Sequence, residues 1–101
     1  MSTAQIDVPL HQIEAFCKRW KVREFSLFGS VLRDDFRPDS DVDVLLSFEP
    51  NDPWSYWDWP EILDDLVAIF GRKVDLVEKE ALKNPYRRSE ILRTRQVVYA
   101  A

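Results

Sequence analysis

The chain has 101 residues, 46% apolar and 32% charged, with a formal net charge of −4. That length suits one small domain with a real core and excludes two, and the negative balance excludes a chain that binds nucleic acid through its overall charge. A lone cysteine, Cys17, excludes an intrachain disulfide, and beside a single histidine, His11, it leaves too few ligands for zinc.

In chain order, Asp7 reads as the cap of a first helix, with Leu10, Ile13, Phe16 and Trp20 at helical spacings. Cys17 falls on its apolar side and is expected in the core. His11, in the first turn, is expected at the surface. Residues 22–28 read as a first strand, 30–34 as a short helix and 34–40 as a polar loop around Pro38. Residues 41–48 read as a second strand, and 50–59 as a loop dense in proline and tryptophan. Residues 61–70 carry Ile62, Leu66 and Ile69 on one helical face and end at Gly71, a typical C′ residue. Residues 73–78 read as a third strand. Asn84 caps a last helix with Pro85 at its first position, and 96–99 can add a short strand. There is no repeat and no low-complexity segment. The expected fold class is α/β (α+β): one domain over 1–101, a mixed sheet of three or four strands with helices packed on it. No long apolar run marks a signal peptide or membrane span, so a bacterial or archaeal cytoplasm is the expected setting.

Asp41 and Asp43 stand two apart in the run Asp41-Val42-Asp43-Val44-Leu45-Leu46. In a strand, such residues share a face, roughly 6.5–7 Å apart at Cα. Two carboxylates so placed repel unless a cation sits between them, while Val42 and Val44 can bury on the other face. Oxygen ligands of this kind suit Mg²⁺, which binds through one or two carboxylates plus a substrate's phosphates. The bland alternative is a polar edge strand with two solvated aspartates.

Before the pair comes Phe25-Ser26-Leu27-Phe28-Gly29-Ser30-Val31-Leu32-Arg33. An apolar strand runs into Gly-Ser and then a helix-compatible stretch. Glycine at such a turn lets backbone approach a phosphate closely, and a following helix favours an anion at its N-terminus. Ser30 adds a hydroxyl and Arg33 a charge. Alone, Gly-Ser is most often just a turn. In Lys73-Val74-Asp75-Leu76-Val77, Lys73, Asp75 and Val77 share one strand face and Val74 and Leu76 the other. Aspartate is depleted in strands; a salt bridge is the simple explanation for Asp75.

Together, Gly29-Ser30, ten intervening residues and Asp41-Val42-Asp43 resemble the signature of the DNA polymerase β-type nucleotidyltransferase superfamily. The stretch from Phe28 to Leu45 is similar to its smallest branch, the minimal nucleotidyltransferases, and the resemblance spans roughly residues 22 to 99. It implies a small α/β catalytic domain. By resemblance, Gly29, Ser30 and Arg33 hold a nucleotide triphosphate. Asp41 and Asp43 bind two Mg²⁺ ions, with Asp75 as the third carboxylate from a later strand. The chain departs from many relatives in placing Asp34-Asp35 after the arginine, where a small residue is common.

The implied reaction is attack on the α-phosphate of ATP, with two metal ions stabilising the entering and leaving oxygens. Asp75 completes the ligand set and takes the acceptor's proton, and pyrophosphate leaves. The resemblance further implies a HEPN-domain toxin, commonly an RNase, as the partner that receives AMP, with this chain as its antitoxin. Two other classes stand beside this: a non-catalytic antitoxin acting by binding, and a small-molecule nucleotidyltransferase such as those that modify aminoglycosides. The latter usually carry an extra substrate domain. Trp54, Tyr56, Trp57 and Trp59 either fill a core edge or present anchors to a partner. Arg87, Arg88, Arg93 and Arg95 make either a solvated helix face or a partner contact.

Overall fold

The computed structural model describes residues 8–34, 36–49 and 58–100. Its elements are helix α1 (Leu10–Trp20), strand β1 (Val22–Phe28), a 3-10 turn (Gly29–Leu32), β2 (Val42–Phe48), α2 (Trp59–Phe70), β3 (Val74–Glu78), a second 3-10 turn (Lys79–Ala81), α3 (Pro85–Thr94) and β4 (Gln96–Ala100). The sheet order is β3-β2-β1-β4. β1 runs antiparallel to both β2 and β4, whereas β2 and β3 are parallel. A parallel pair needs a crossover, and α2 supplies it.

The two central strands are the most deeply buried. Phe25, Leu27, Val42, Val44 and Leu46 are all fully buried. They form the main core with Ile13, Phe16 and Cys17 of α1 and Ile62 and Leu66 of α2. Each such side chain contributes about 1.5–3 kcal/mol by leaving water. Cys17 lies inside this core, and burial, followed by the nearby Glu14 charge, pushes its thiol up to about 12. His11 is exposed, as expected.

The opposite sheet face is thinner and more polar. Phe28 and Leu45 pack with Leu82 and Ile91 beneath α3. Beside them, Glu24 of β1 accepts from Arg95 Nε at 3.0 Å and lies 3.7 Å from Lys79 Nζ. Ser47 Oγ donates to Glu80 at 2.5 Å. This layer ties α3 onto the sheet.

Several element ends differ from the expectations. Asp7 lies outside the described residues, and the N-cap position of α1 is Pro9, without a side-chain cap bond. The short helix expected over 30–34 is one 3-10 turn that begins a residue earlier, at Gly29. α2 starts at Trp59, not at 61, because Pro60 suits the first turn of a helix. β4 runs one residue further, to Ala100. Asn84 caps α3 as expected, its Oδ1 accepting from Tyr86 N at 3.0 Å and Arg87 N at 3.1 Å. Trp54, Tyr56 and Trp57 lie outside the described residues, while Trp59 packs partly buried against the main core. Among the described residues, no helix is long and apolar enough to cross a membrane.

Candidate active site

The two aspartates follow from strand alternation. Val42 and Val44 point into the main core. Asp43 therefore faces the α3 side of the sheet, half-buried, and Asp41 sits one residue before β2 begins. Asp75 stands directly beside Asp43 in the parallel β2–β3 register. Its side chain is exposed at the edge of the sheet, with Val74 in the main core behind it.

Gly29 joins β1 to this carboxylate. It follows directly on the last pair of the antiparallel ladder, Phe28 with Asp43. Gly29 adopts φ +72°, and an ideal Cβ there would fall 2.2 Å from Asp43 Oδ2. The space a side chain would fill is thus taken by the Asp43 carboxylate. The backbone N–H of Ser30 also hydrogen-bonds that carboxylate. Ser30 Oγ donates to the Asp41 carbonyl at a long 3.4 Å. One 3-10 turn carries little dipole compared with a full helix, so the turn acts through its individual donors.

The electrostatics centre on Asp43. Partial burial is the first cause that raises its carboxyl above the usual range, and the Asp75 charge is the second. The Ser30 N–H bond opposes them, Asp41 adds a smaller push upward, and Arg33 a smaller pull down. Asp41 has its own cation: Lys73 Nζ lies 3.9 Å from its Oδ2. The lysine is exposed, and such a pair contributes little to stability. Among the described residues, the lysine that could have made the simple salt-bridge alternative for Asp75 pairs with Asp41 instead.

The sequence reading missed one wall of the site. A cleft of about 260 Å³ lies beside the turn, with Phe28, Gly29, Leu32 and Arg33 on one side. Glu90, Ile91 and Thr94 of α3 form the other. Only tertiary packing brings that helix here. The arginines of this region are largely engaged within the fold. Arg88 donates to the Lys79 carbonyl, Arg93 pairs with Glu90, and Arg95 bonds Glu24; Arg87 is exposed.

Gly29, Ser30, Arg33, Asp41, Asp43 and Asp75 are thus brought to one end of the sheet. Among the described residues, no three His, Cys, Asp or Glu side chains stand close enough together to hold a metal ion as they are. The donor set nonetheless fits a divalent cation. Asp43 carries two like charges as neighbours, which is the condition a bound cation relieves.

Comparison with known proteins supplies further context. Residues 11–98 match the family described as the nucleotidyltransferase domain. The protein adenylyltransferase MntA of Thermococcus cleftensis is 39% identical over 82 residues, covering 81% of this chain and 78% of that one. The fold is shared with a crystal structure of a toxin–antitoxin with AMP-PNP, at a TM-score of 0.72 and 17% identity, over 92% of this chain and 74% of that chain. It is also shared with a tri-AMPylated Shewanella oneidensis HEPN toxin in complex with an MNT antitoxin, at a TM-score of 0.65 and 17% identity, covering 91% of this chain and 70% of that one.

Proposed function

The chain belongs to the nucleotidyltransferase domain family, and from that premise we propose that it transfers AMP from ATP to a hydroxyl of a partner protein, a HEPN-domain toxin that it neutralises as antitoxin. The observation that carries this reading is the contact between the phosphate turn and a carboxylate: Gly29 leaves room for Asp43, and Asp75 stands beside it in register. A relative named as a protein adenylyltransferase and a shared fold with an AMPylated HEPN complex support it.

Asp41, Asp43 and Asp75 would hold two Mg²⁺ ions. When bound, those ions would offset the negative charge that builds on the phosphoryl group and its entering and leaving oxygens. The chain's own residues do the rest. Ser30 offers a hydroxyl whose present bond to Asp41 O is long and easily exchanged for a phosphate oxygen. Arg33, on the rim of the cleft, supplies positive charge toward the triphosphate. The acceptor oxygen forms a bond to the α-phosphorus, the bond to the β-phosphate bridge breaks, and pyrophosphate departs. Asp75, exposed at the sheet edge, is open to an incoming hydroxyl and accepts its proton. The expected setting is the cytoplasm.

Incubation with ATP, Mg²⁺ and the HEPN protein, followed by intact-mass spectrometry, tests this. The expected result is a partner heavier by one or more AMP units, on a tyrosine hydroxyl. The Asp41→Asn/Asp43→Asn double variant should abolish the addition. No mass shift with the wild type, together with full neutralisation by the double variant, overturns the catalytic reading in favour of neutralisation by binding.

A further inference from the structure

Among its described residues, the segment that joins the phosphate turn to Asp41 has no regular secondary structure, yet both of its ends belong to the site. It begins with Arg33 N bonding Ser30 O at 2.9 Å and Phe36 N bonding Arg33 O at 3.2 Å. It continues through a tight turn over residues 37–40. There Ser40 N bonds Arg37 O at 3.0 Å, and Arg37 N bonds Ser40 Oγ at 3.0 Å. Such a loop needs an outside anchor if Asp41 is to keep one position relative to Ser30.

The anchor comes from the residue pair just before β3. Arg72 Nη1 donates to the Arg37 carbonyl at 3.3 Å and to the Ser40 carbonyl at 3.4 Å, so it grips both ends of the tight turn. Its guanidinium carbon lies 4.9 Å from the centre of the Phe36 ring. That ring is itself packed against the main core. The next residue continues the clamp: Val42 N bonds Lys73 O at 3.0 Å, and Lys73 Nζ reaches the Asp41 carboxylate. Among the described residues, Arg72 makes no hydrogen bond or ion pair with Gly29, Ser30, Asp41, Asp43 or Asp75; its side-chain bonds go to Arg37 O and Ser40 O.

The geometry points to Arg72 as a positioning residue that fixes Asp41 against the Gly29-Ser30 turn, a role that rests on the nucleotide-handling reading above. A guanidinium suits the task because it is planar and always charged. It can lie on an aromatic face while offering several donors to backbone oxygens. A lysine keeps the charge and one donor group but not the planar stack.

The test is calorimetric titration of Mg²⁺–ATP into the full chain, with amide hydrogen exchange as a second readout. Arg72→Ala should bind Mg²⁺–ATP about tenfold more weakly, the scale of a hydrogen bond to a charged group. Exchange should quicken at Ser40, Asp41 and Val42 while β1 stays protected. Arg72→Lys should recover part of the affinity. Ile13→Val, destabilised in the main core on α1, should bind as the wild type does, which separates positioning from a general loss of stability. If the wild type binds and Arg72→Ala binds equally well, the assignment of Arg72 is overturned. A weakening matched by Ile13→Val overturns it too. If the wild type itself takes up no Mg²⁺–ATP, the functional reading falls first and the positioning role with it.

Discussion

Replacing Gly29 with alanine separates two reasons for glycine at that position. The first is conformational. At φ +72° any L side chain is strained, by about 1–2 kcal/mol. The second is occupancy. A Cβ there would lie 2.2 Å from Asp43 Oδ2, so the carboxylate must turn away. It then loses the Ser30 N–H bond, worth about 1–2 kcal/mol for a half-exposed charged acceptor. The expected total is roughly 2–4 kcal/mol. Gly71 is the internal control. It has φ +67° and nothing within 4 Å of a built Cβ, so Gly71→Ala carries the first cost alone. In a domain of this size, 1 kcal/mol moves the midpoint by roughly 4–8 °C. Gly29→Ala should therefore melt about 4–16 °C below Gly71→Ala. In an Asp43→Ala background the obstructing carboxylate is gone, and the excess should vanish as a coupling energy. Equal melting of the two alanine variants, or an excess that survives without Asp43, would refute the reasoning.

Asp43→Asn should stabilise the fold above the raised pKa, by less than about 1 kcal/mol because the group is half exposed. A carboxyl whose folded pKa is raised disfavours folding once ionised. The gain should therefore shrink as pH falls through that raised pKa toward the ordinary aspartate value, which urea titrations over a pH series would read. Asn84→Ala should cost about 1 kcal/mol, because it leaves the Tyr86 and Arg87 N–H groups without their shared acceptor; thermal melting checks this.

What was legible in the chain was what local pattern encodes. The stretch Val22–Phe28 is a strand end to end, and Asn84-Pro85 starts α3 where capping chemistry puts it. The alternation around Asp43 set its face correctly, since Val42 and Val44 are both fully buried. What was not legible depends on which distant segments meet. Nothing near Glu90 or Thr94 announces that α3 will wall the cleft beside Gly29. The arginine cluster looked like one surface, but Arg88 and Arg95 point back into the fold to bond Lys79 O and Glu24. Nothing in the local pattern singles out Arg72, whose acceptors are backbone carbonyls more than thirty positions earlier.

Gly29 is where the two kinds of information meet. The sequence flags it because glycine lets a phosphate approach backbone. The structure adds that the same missing side chain admits the Asp43 carboxylate, and that the Ser30 N–H is engaged by that carboxylate. Phosphate turn and carboxylate are therefore one packed unit. On the proposed function, a triphosphate entering the cleft would meet a carboxylate at the turn, and two anions there repel. The unit would then accept the nucleotide only together with positive charge that offsets Asp43, Asp75 and Asp41. The divalent cation that the proposal calls for would answer the packing of a glycine as much as the aspartates themselves.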